Sequence, residues 1–270
     1  MTTFTEKLNA AWQKSRSLVC VGLDPEIEKL PARFRDRPDG IFAFHKAIVD
    51  ATHDIVCAYK PQYAHHAALG AYHQLSAIID YIHERYPSVP VILDAKRGDM
   101  GNTAKYLAQE AFVGFKADAV TVSPYLGTDA ISPFTDFADR GTILLCRTSN
   151  PGAADLQELL IDGAPLYMHV ARLAADKWNN NGNVSLVVGA TAPQVIADVR
   201  KRVGDMPLLV PGVGAQGGDV AAAVAAGRDS RGAGLMISAS RSVLYASNND
   251  DFAHAARGAV EHMMADGAAV

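Results

Sequence analysis

Short apolar runs rich in β-branched residues recur along the chain, at Leu18 to Leu23, Ile55 to Tyr59, Val89 to Leu93, Ala119 to Val122, Ile143 to Cys146, Leu186 to Val188, Leu208 to Val210 and Leu235 to Ile237. Most are nearly continuously apolar rather than alternating, the pattern of parallel strands buried on both faces. Between them lie segments with helical period, such as Tyr72-Leu75-Ala77-Ile78-Ile79-Ile82. Strand and helix alternate through eight units. That count predicts an α/β fold, a closed (β/α)8 TIM barrel of eight parallel strands, because open doubly wound sheets usually stop at about five to seven. The irregular stretches Pro25 to Gly40, Asn150 to Pro165, Asn179 to Asn183 and Arg228 to Gly232 fit connecting loops. No shift in composition divides the chain, so residues 1–270 are expected to form a single barrel domain.

Composition narrows the class of partner. About half of the 270 residues are apolar and a fifth charged, enough for a sizeable core. A net charge of -4 with no block of like charges provides no basic stripe for a phosphate backbone, which argues against nucleic acid. The start, Met1-Thr2-Thr3-Phe4-Thr5-Glu6-Lys7, lacks the pattern of a signal peptide, and no run approaches the ~20 apolar residues of a membrane span. The expectation is a soluble, cytoplasmic protein. Cys20, Cys57 and Cys146 are odd in number, widely spaced and set in apolar runs, which points to core filling rather than to disulfides or zinc.

In a barrel the loops after the strands make the functional face. Polar residues close most of the runs here: Asp24, Lys60, the stretch Asp94-Ala95-Lys96-Arg97-Gly98-Asp99, then Arg147-Thr148-Ser149, and Arg241. Asp94 and Lys96, two apart on a strand, point to one face, and Asp99 follows where the chain has turned, so two carboxylates would bracket one ammonium. Unit charges about 4 Å apart at an effective dielectric of about 20 interact by roughly 4 kcal/mol, enough to keep Lys96 charged and in place as a proton donor. A solvated ion pair at the barrel mouth, worth about 0–1 kcal/mol, would use the same residues. Lys60 favours catalysis, since Lys-Asp-Lys-Asp sums to zero and has little need of a metal.

The segment Pro211-Gly212-Val213-Gly214-Ala215-Gln216-Gly217-Gly218-Asp219 opens the Ala-rich helix from Val220 to Ala226. Gly212-x-Gly214-x-x-Gly217 matches the dinucleotide fingerprint in letters. It lies near the C-terminus, however, and the next strand ends in Ser238-Ala239-Ser240-Arg241 rather than in an acidic ribose ligand. These glycines fit either a tight turn or a monophosphate site, where backbone amides approach a phosphate at the helix N-terminus and Arg241 pairs with it. His65 and His66 lack a third spaced ligand and read as solvent-facing or locally hydrogen-bonded, and Trp12 as packing.

Taken together, these pieces resemble the orotidine 5'-phosphate decarboxylases, especially their longer bacterial branch. The resemblance rests on Val21-Gly22-Leu23-Asp24-Pro25, Tyr59-Lys60-Pro61, Leu93 to Thr103, Thr148-Ser149-Asn150-Pro151-Gly152, and Pro211 to Asp219 with Arg241. It covers essentially the whole chain. Met100 departs from it, standing where a β-branched aliphatic is expected. The resemblance implies decarboxylation of orotidine 5'-monophosphate to uridine 5'-monophosphate without cofactor or metal, through a homodimer. Lys60, Asp94, Lys96 and Asp99 would be the charged array, with Lys96 the proton donor and with Asp99 and Thr103 reaching the neighbouring subunit's site. Asp24 and Lys60 would meet ribose hydroxyls and Ser149 the pyrimidine. Pro211, Gly214, Gln216 and Arg241 would hold the phosphate end. Loops such as Asn150 to Pro165 would close as a lid.

Two other readings use many of the same residues. A metal-dependent sugar-phosphate lyase of the same superfamily would share Asp94-x-Lys96-x-x-Asp99 and the glycine loop, but Lys60 and Ser149-Asn150-Pro151-Gly152 favour the nucleotide enzyme. A silent phosphate-ligand barrel would lose only affinity, not turnover, on replacement of Lys96.

Overall fold

The computed structural model describes residues 2–213 and 217–270. Its eight barrel strands are β1 (Val19–Leu23), β2 (Ala58–Pro61), β3 (Ile92–Arg97), β4 (Ala119–Val122), β5 (Gly141–Arg147), β6 (Val184–Val188), β7 (Leu208–Pro211) and β8 (Leu235–Ala239). They form one sheet in the order β2-β1-β8-β7-β6-β5-β4-β3. Its ladders are parallel. Single parallel bridges from Tyr59 to Val91 and from Gln62 to Asp94 join β2 to β3 and close the barrel. In β1, β4, β6 and β8 every residue is buried, because helices cover the outside while side chains fill the interior.

Helix α1 (Phe4–Ser15) precedes the barrel, and α2 (Gly40–Thr52), α3 (Tyr72–Arg85), α4 (Gly101–Gln109), α5 (Thr128–Thr135), α6 (Leu166–Leu173), α7 (Pro193–Val203) and α8 (Val220–Gly227) follow β1 to β7 in turn. A short α9 (Arg241–Leu244) and then α10 (Phe252–Met263) follow β8. Trp12 of α1 is buried, and its indole N–H donates to the Leu235 carbonyl at 2.8 Å, the packing role expected of it. The three cysteines are buried free thiols, and burial pushes Cys146 up to about 12. Among the described residues no helix is long and apolar enough to cross a membrane.

Two strands sit further along the chain than the apolar pattern predicts. β2 begins at Ala58 and runs through Lys60, and β3 begins at Ile92 and runs through Asp94 and Lys96. Charged residues continue these strands because their charges are paired inside the barrel mouth. The segment 150–165 is also more ordered than a plain loop. It holds a 3-10 turn, Pro151–Asp155, and a hairpin pairing Leu160–Ile161 with Ala164–Pro165. Gln157 accepts the Thr148 amide at 2.8 Å and Glu158 pairs with Arg147 at 2.7 Å, tying the segment to the end of β5.

Candidate active site

At the C-terminal mouth of the barrel lies a cavity of about 410 Å³, within the range of small-ligand sites, with lining residues from every strand or the loop after it. Its polar wall includes Asp24, Lys60, Asp94, Lys96, Ser149 and Arg241, and its apolar wall includes Leu145, Val187, Leu209 and Pro211.

Asp94 is the hub. One carboxylate oxygen accepts from the Lys96 ammonium at 2.7 Å and the Thr121 hydroxyl at 2.9 Å. The other accepts from the Lys60 ammonium at 2.9 Å and the Gln62 amide at 3.1 Å. Burial opposes ionisation of Asp94, but the charges of Lys60 and Lys96 outweigh it and hold the carboxyl well below its usual range. Burial likewise opposes the charge on Lys60, and Asp94 with Asp24 outweighs it, raising Lys60 above an ordinary lysine. The side chains of Lys60 and Asp94 are 5% and 9% exposed, whereas that of Lys96 is 49% exposed, so Lys60 is a fixed charge and Lys96 a presented one.

The arrangement corrects one expectation. Within a single chain one carboxylate stands between two ammoniums, rather than two carboxylates around Lys96. Asp99 accepts the Met100 amide at 2.7 Å, and among the described residues it pairs with no cation. Neither Asp99 nor Thr103, exposed on α4, lines the cavity. Lys96 also departs from regular strand geometry, with φ at 45°. Arg97 turns away from the cavity: it pairs with Glu110 at 2.6 Å and lies 4.0 Å above the Tyr63 ring.

The other wall suits a sugar and an anion. A carboxylate oxygen of Asp24 is buried without a hydrogen-bond partner among the described residues, a place for a ligand hydroxyl to donate. Ser149 reaches the cavity because Gly189 lies beneath it, where an added Cβ would stand 2.7 Å from Ser149 Cα. Two loops leading into helices border the cavity, and the glycine segment contributes Pro211, Gly212 and Val213. Helix α8 is capped by its own Asp219, which accepts the Ala222 amide at 2.9 Å. The start of α9 also lines the cavity, through Ser240, Arg241 and Ser242. Gly214 and Gln216 lie outside the described residues. His66 is buried, with Nδ1 2.9 Å from the Gln62 carbonyl and Nε2 without a hydrogen-bond partner among the described residues.

Two of the donors to Asp94 escaped the sequence reading. Gln62 is two residues beyond Lys60 and so was legible as a same-face neighbour. Thr121 is a lone hydroxyl inside an apolar strand, with nothing nearby in sequence to set it apart.

Fold and cavity define a (β/α)8 barrel of the enzyme type, with a charged Lys60–Asp94–Lys96 array at the mouth of the barrel. The family model described as "Orotidine 5'-phosphate decarboxylase / HUMPS family" matches residues 17–256. The chain belongs to that family, and it is an enzyme of the carboxy-lyase class. The orotidine 5'-phosphate decarboxylase of Cellvibrio japonicus (strain Ueda107) is 61% identical over 257 residues, covering 94% of each chain. That of Dechloromonas aromatica (strain RCB) is 60% identical over 255 residues, again 94% of each. Among solved structures, Leishmania donovani OMP decarboxylase superposes with a TM-score of 0.85 at 37% identity, covering 98% of both chains.

Proposed function

We propose that the chain converts orotidine 5'-monophosphate to uridine 5'-monophosphate, the last step of de novo pyrimidine nucleotide synthesis, with Lys96 as the proton donor. The observation that carries this reading is the Lys60–Asp94–Lys96 array, in which four donors saturate one carboxylate and leave a half-exposed ammonium facing the cavity. The bond from C6 to the carboxylate breaks, CO2 departs and the electron pair stays on C6. The Lys96 ammonium stabilises that pair and then gives it a proton, becoming a neutral amine that solvent reprotonates. Because Asp94 and Lys60 are held before substrate arrives, the field at C6 needs little rearrangement at the transition state. With its acceptor sites occupied, Asp94 is a poor ligand for a metal, which supports a reaction without one.

Asp24 and Lys60 would take the ribose hydroxyls and Ser149 the pyrimidine. Arg241, with Pro211 and the loop through Gly214 and Gln216, would take the phosphate, whose binding energy serves the distant chemistry. The segment 150–165, anchored at Arg147 and Thr148, would cover the base. A homodimer would bring Asp99 and Thr103 to the partner's cavity. Candidates for its surface are the large apolar side chains of Met100, Tyr106, Val113 and Tyr125, which are 62 to 77% exposed.

The test is the fall in ultraviolet absorbance of orotidine 5'-monophosphate with purified protein, with and without excess EDTA, and identification of the product. Rapid turnover insensitive to EDTA is the expected result. Lys96→Ala is expected to lower kcat by roughly 10³-fold or more while still binding product. Metal-dependent turnover would overturn the charge-array mechanism, and no turnover in any condition would overturn the reaction.

A further inference from the structure

We propose that Thr121 is a positioning residue for Lys96, holding the proton donor through a backbone bulge. Two observations combine. Strands β3 and β4 pair Leu93 with Val120 and Arg97 with Val122, and the register slips in between. Three residues of β3, Asp94 to Lys96, are therefore spanned by one residue of β4, Thr121. The extra length is taken up at Lys96, whose φ of 45° is left-handed, a conformation a lysine holds only where its surroundings over-determine it.

The Thr121 hydroxyl supplies that determination. Its oxygen accepts the amides of Ala95 at 3.0 Å and Lys96 at 2.9 Å, and its proton goes to Asp94 at 2.9 Å. Two lone pairs and one proton are a hydroxyl's full capacity, so nothing remains for a ligand. Thr121 is 1% exposed and cannot exchange these partners for bulk water. One side chain thus fixes both ends of the pair: the backbone from which the Lys96 side chain departs and the carboxylate that receives its ammonium. Downstream, the Ser123 amide donates to the Arg97 carbonyl at 2.7 Å and locks the exit of the bulge. Donor geometry is strict, and misplacement by about 1 Å can cost 10²-fold in rate.

This inference rests on the decarboxylase reading, and wild-type turnover measured first in the same assay separates the two. Thr121→Val keeps the shape and removes the hydroxyl, while Thr121→Ser keeps the hydroxyl. For Thr121→Val we expect kcat to fall about 10²-fold, with KM and the affinity for uridine 5'-monophosphate changed less than about threefold. Thr121→Ser should return kcat to within about tenfold of wild type. Equal losses in the two variants, an unchanged kcat in Thr121→Val, or product affinity falling in step with kcat would overturn the proposal. If Thr121→Val does not fold, Thr121→Ala against Thr121→Ser gives the same contrast, and the same outcomes support or overturn the role. Should the wild type be silent toward the substrate, hydrogen exchange of the peptide containing Ala95 and Lys96 reads the bulge directly. Exchange there should quicken without the hydroxyl and not with serine, and equal protection in both would refute the role.

Discussion

Replacing Asp94 by Asn should destabilise the protein in a way that depends on pH in a specific direction. The substitution leaves the Lys60 ammonium, 5% exposed, without its carboxylate. At 2.9 Å and an effective dielectric of about 20, that contact is worth roughly 6 kcal/mol before desolvation is subtracted. Removing one partner of a buried pair costs about 3–5 kcal/mol in practice. The Lys96 contact adds at most about 1 kcal/mol, because half of that side chain is in solvent. For a chain of this size each kcal/mol moves Tm by roughly 2–4 °C, so a fall of about 6 to 24 °C at neutral pH is expected. In the wild type the folded-state pKa of Lys60 is raised, so its stabilising contribution is complete below the ordinary lysine value and is lost as pH rises through the folded value. In Asp94→Asn burial opposes the charge with less compensation, Lys60 falls below the ordinary value, and the unfolded chain takes up the proton more readily. The variant therefore gains stability as pH rises, and its gap to wild type should narrow from about pH 7 to pH 10. Thermal and urea melts at fixed protein concentration measure the gap, and adding Lys60→Met to Asp94→Asn should recover most of it. A gap that stays flat or widens with pH, or a loss below about 1 kcal/mol, would refute the account of Asp94 as the counter-ion of a buried ammonium.

Arg241→Ala should lower kcat/KM about 10²-fold, chiefly through KM, with partial rescue by added guanidinium; steady-state kinetics with and without guanidinium check it. In the proposed homodimer, Lys96→Ala and Asp99→Asn subunits, each nearly inactive, should regain about a quarter of wild-type activity when mixed and allowed to exchange, because a heterodimer would hold one intact site. Failure of the mixture despite exchange would place Asp99 outside the partner's site. His45 is fully buried, neither ring nitrogen is hydrogen-bonded among the described residues, and burial, with His66 beside it, keeps it neutral well below the usual histidine value. Its folded pKa is depressed, so the unfolded chain binds the proton first and stability falls as pH drops below about 6.5. His45→Leu should flatten that slope by up to about 1.4 kcal/mol per pH unit, measured from melts between pH 7 and 5.

What was legible in the sequence followed from periodicity and from charge beside apolar runs. Eight apolar segments separated by helical period favoured a closed parallel sheet, and Lys60, Asp94 and Lys96 stood out as charges following such segments. The extent of β2 and β3 was not legible, because a strand is not expected to continue through Lys60 or through Asp94 to Lys96 unless their partners are known. Those partners come from different strands, and burial becomes tolerable only when they meet. The bracketing of Lys96 by Asp99 was misjudged within one chain for a related reason. Residue spacing gives the side-chain direction along a regular strand, and the left-handed Lys96 ends that regularity before Asp99 is reached.

Thr121 shows why such a residue is hidden. Its neighbours Val120 and Val122 give it the signature of strand core, and a buried hydroxyl there has an ordinary explanation in local hydrogen bonding. Only the register slip opposite β3 reveals that two amides of the neighbouring strand have no carbonyl to meet and have taken a side-chain oxygen instead. The same slip frees Asp94 and Lys96 from the strict alternation of a strand, which would set their side chains parallel on one face rather than closed on each other at 2.7 Å. The irregularity in the sheet and the placement of Lys96, the proposed proton donor, are thus a single structural feature. A substitution that restored regular pairing between β3 and β4 would be expected to make a better strand and a worse enzyme.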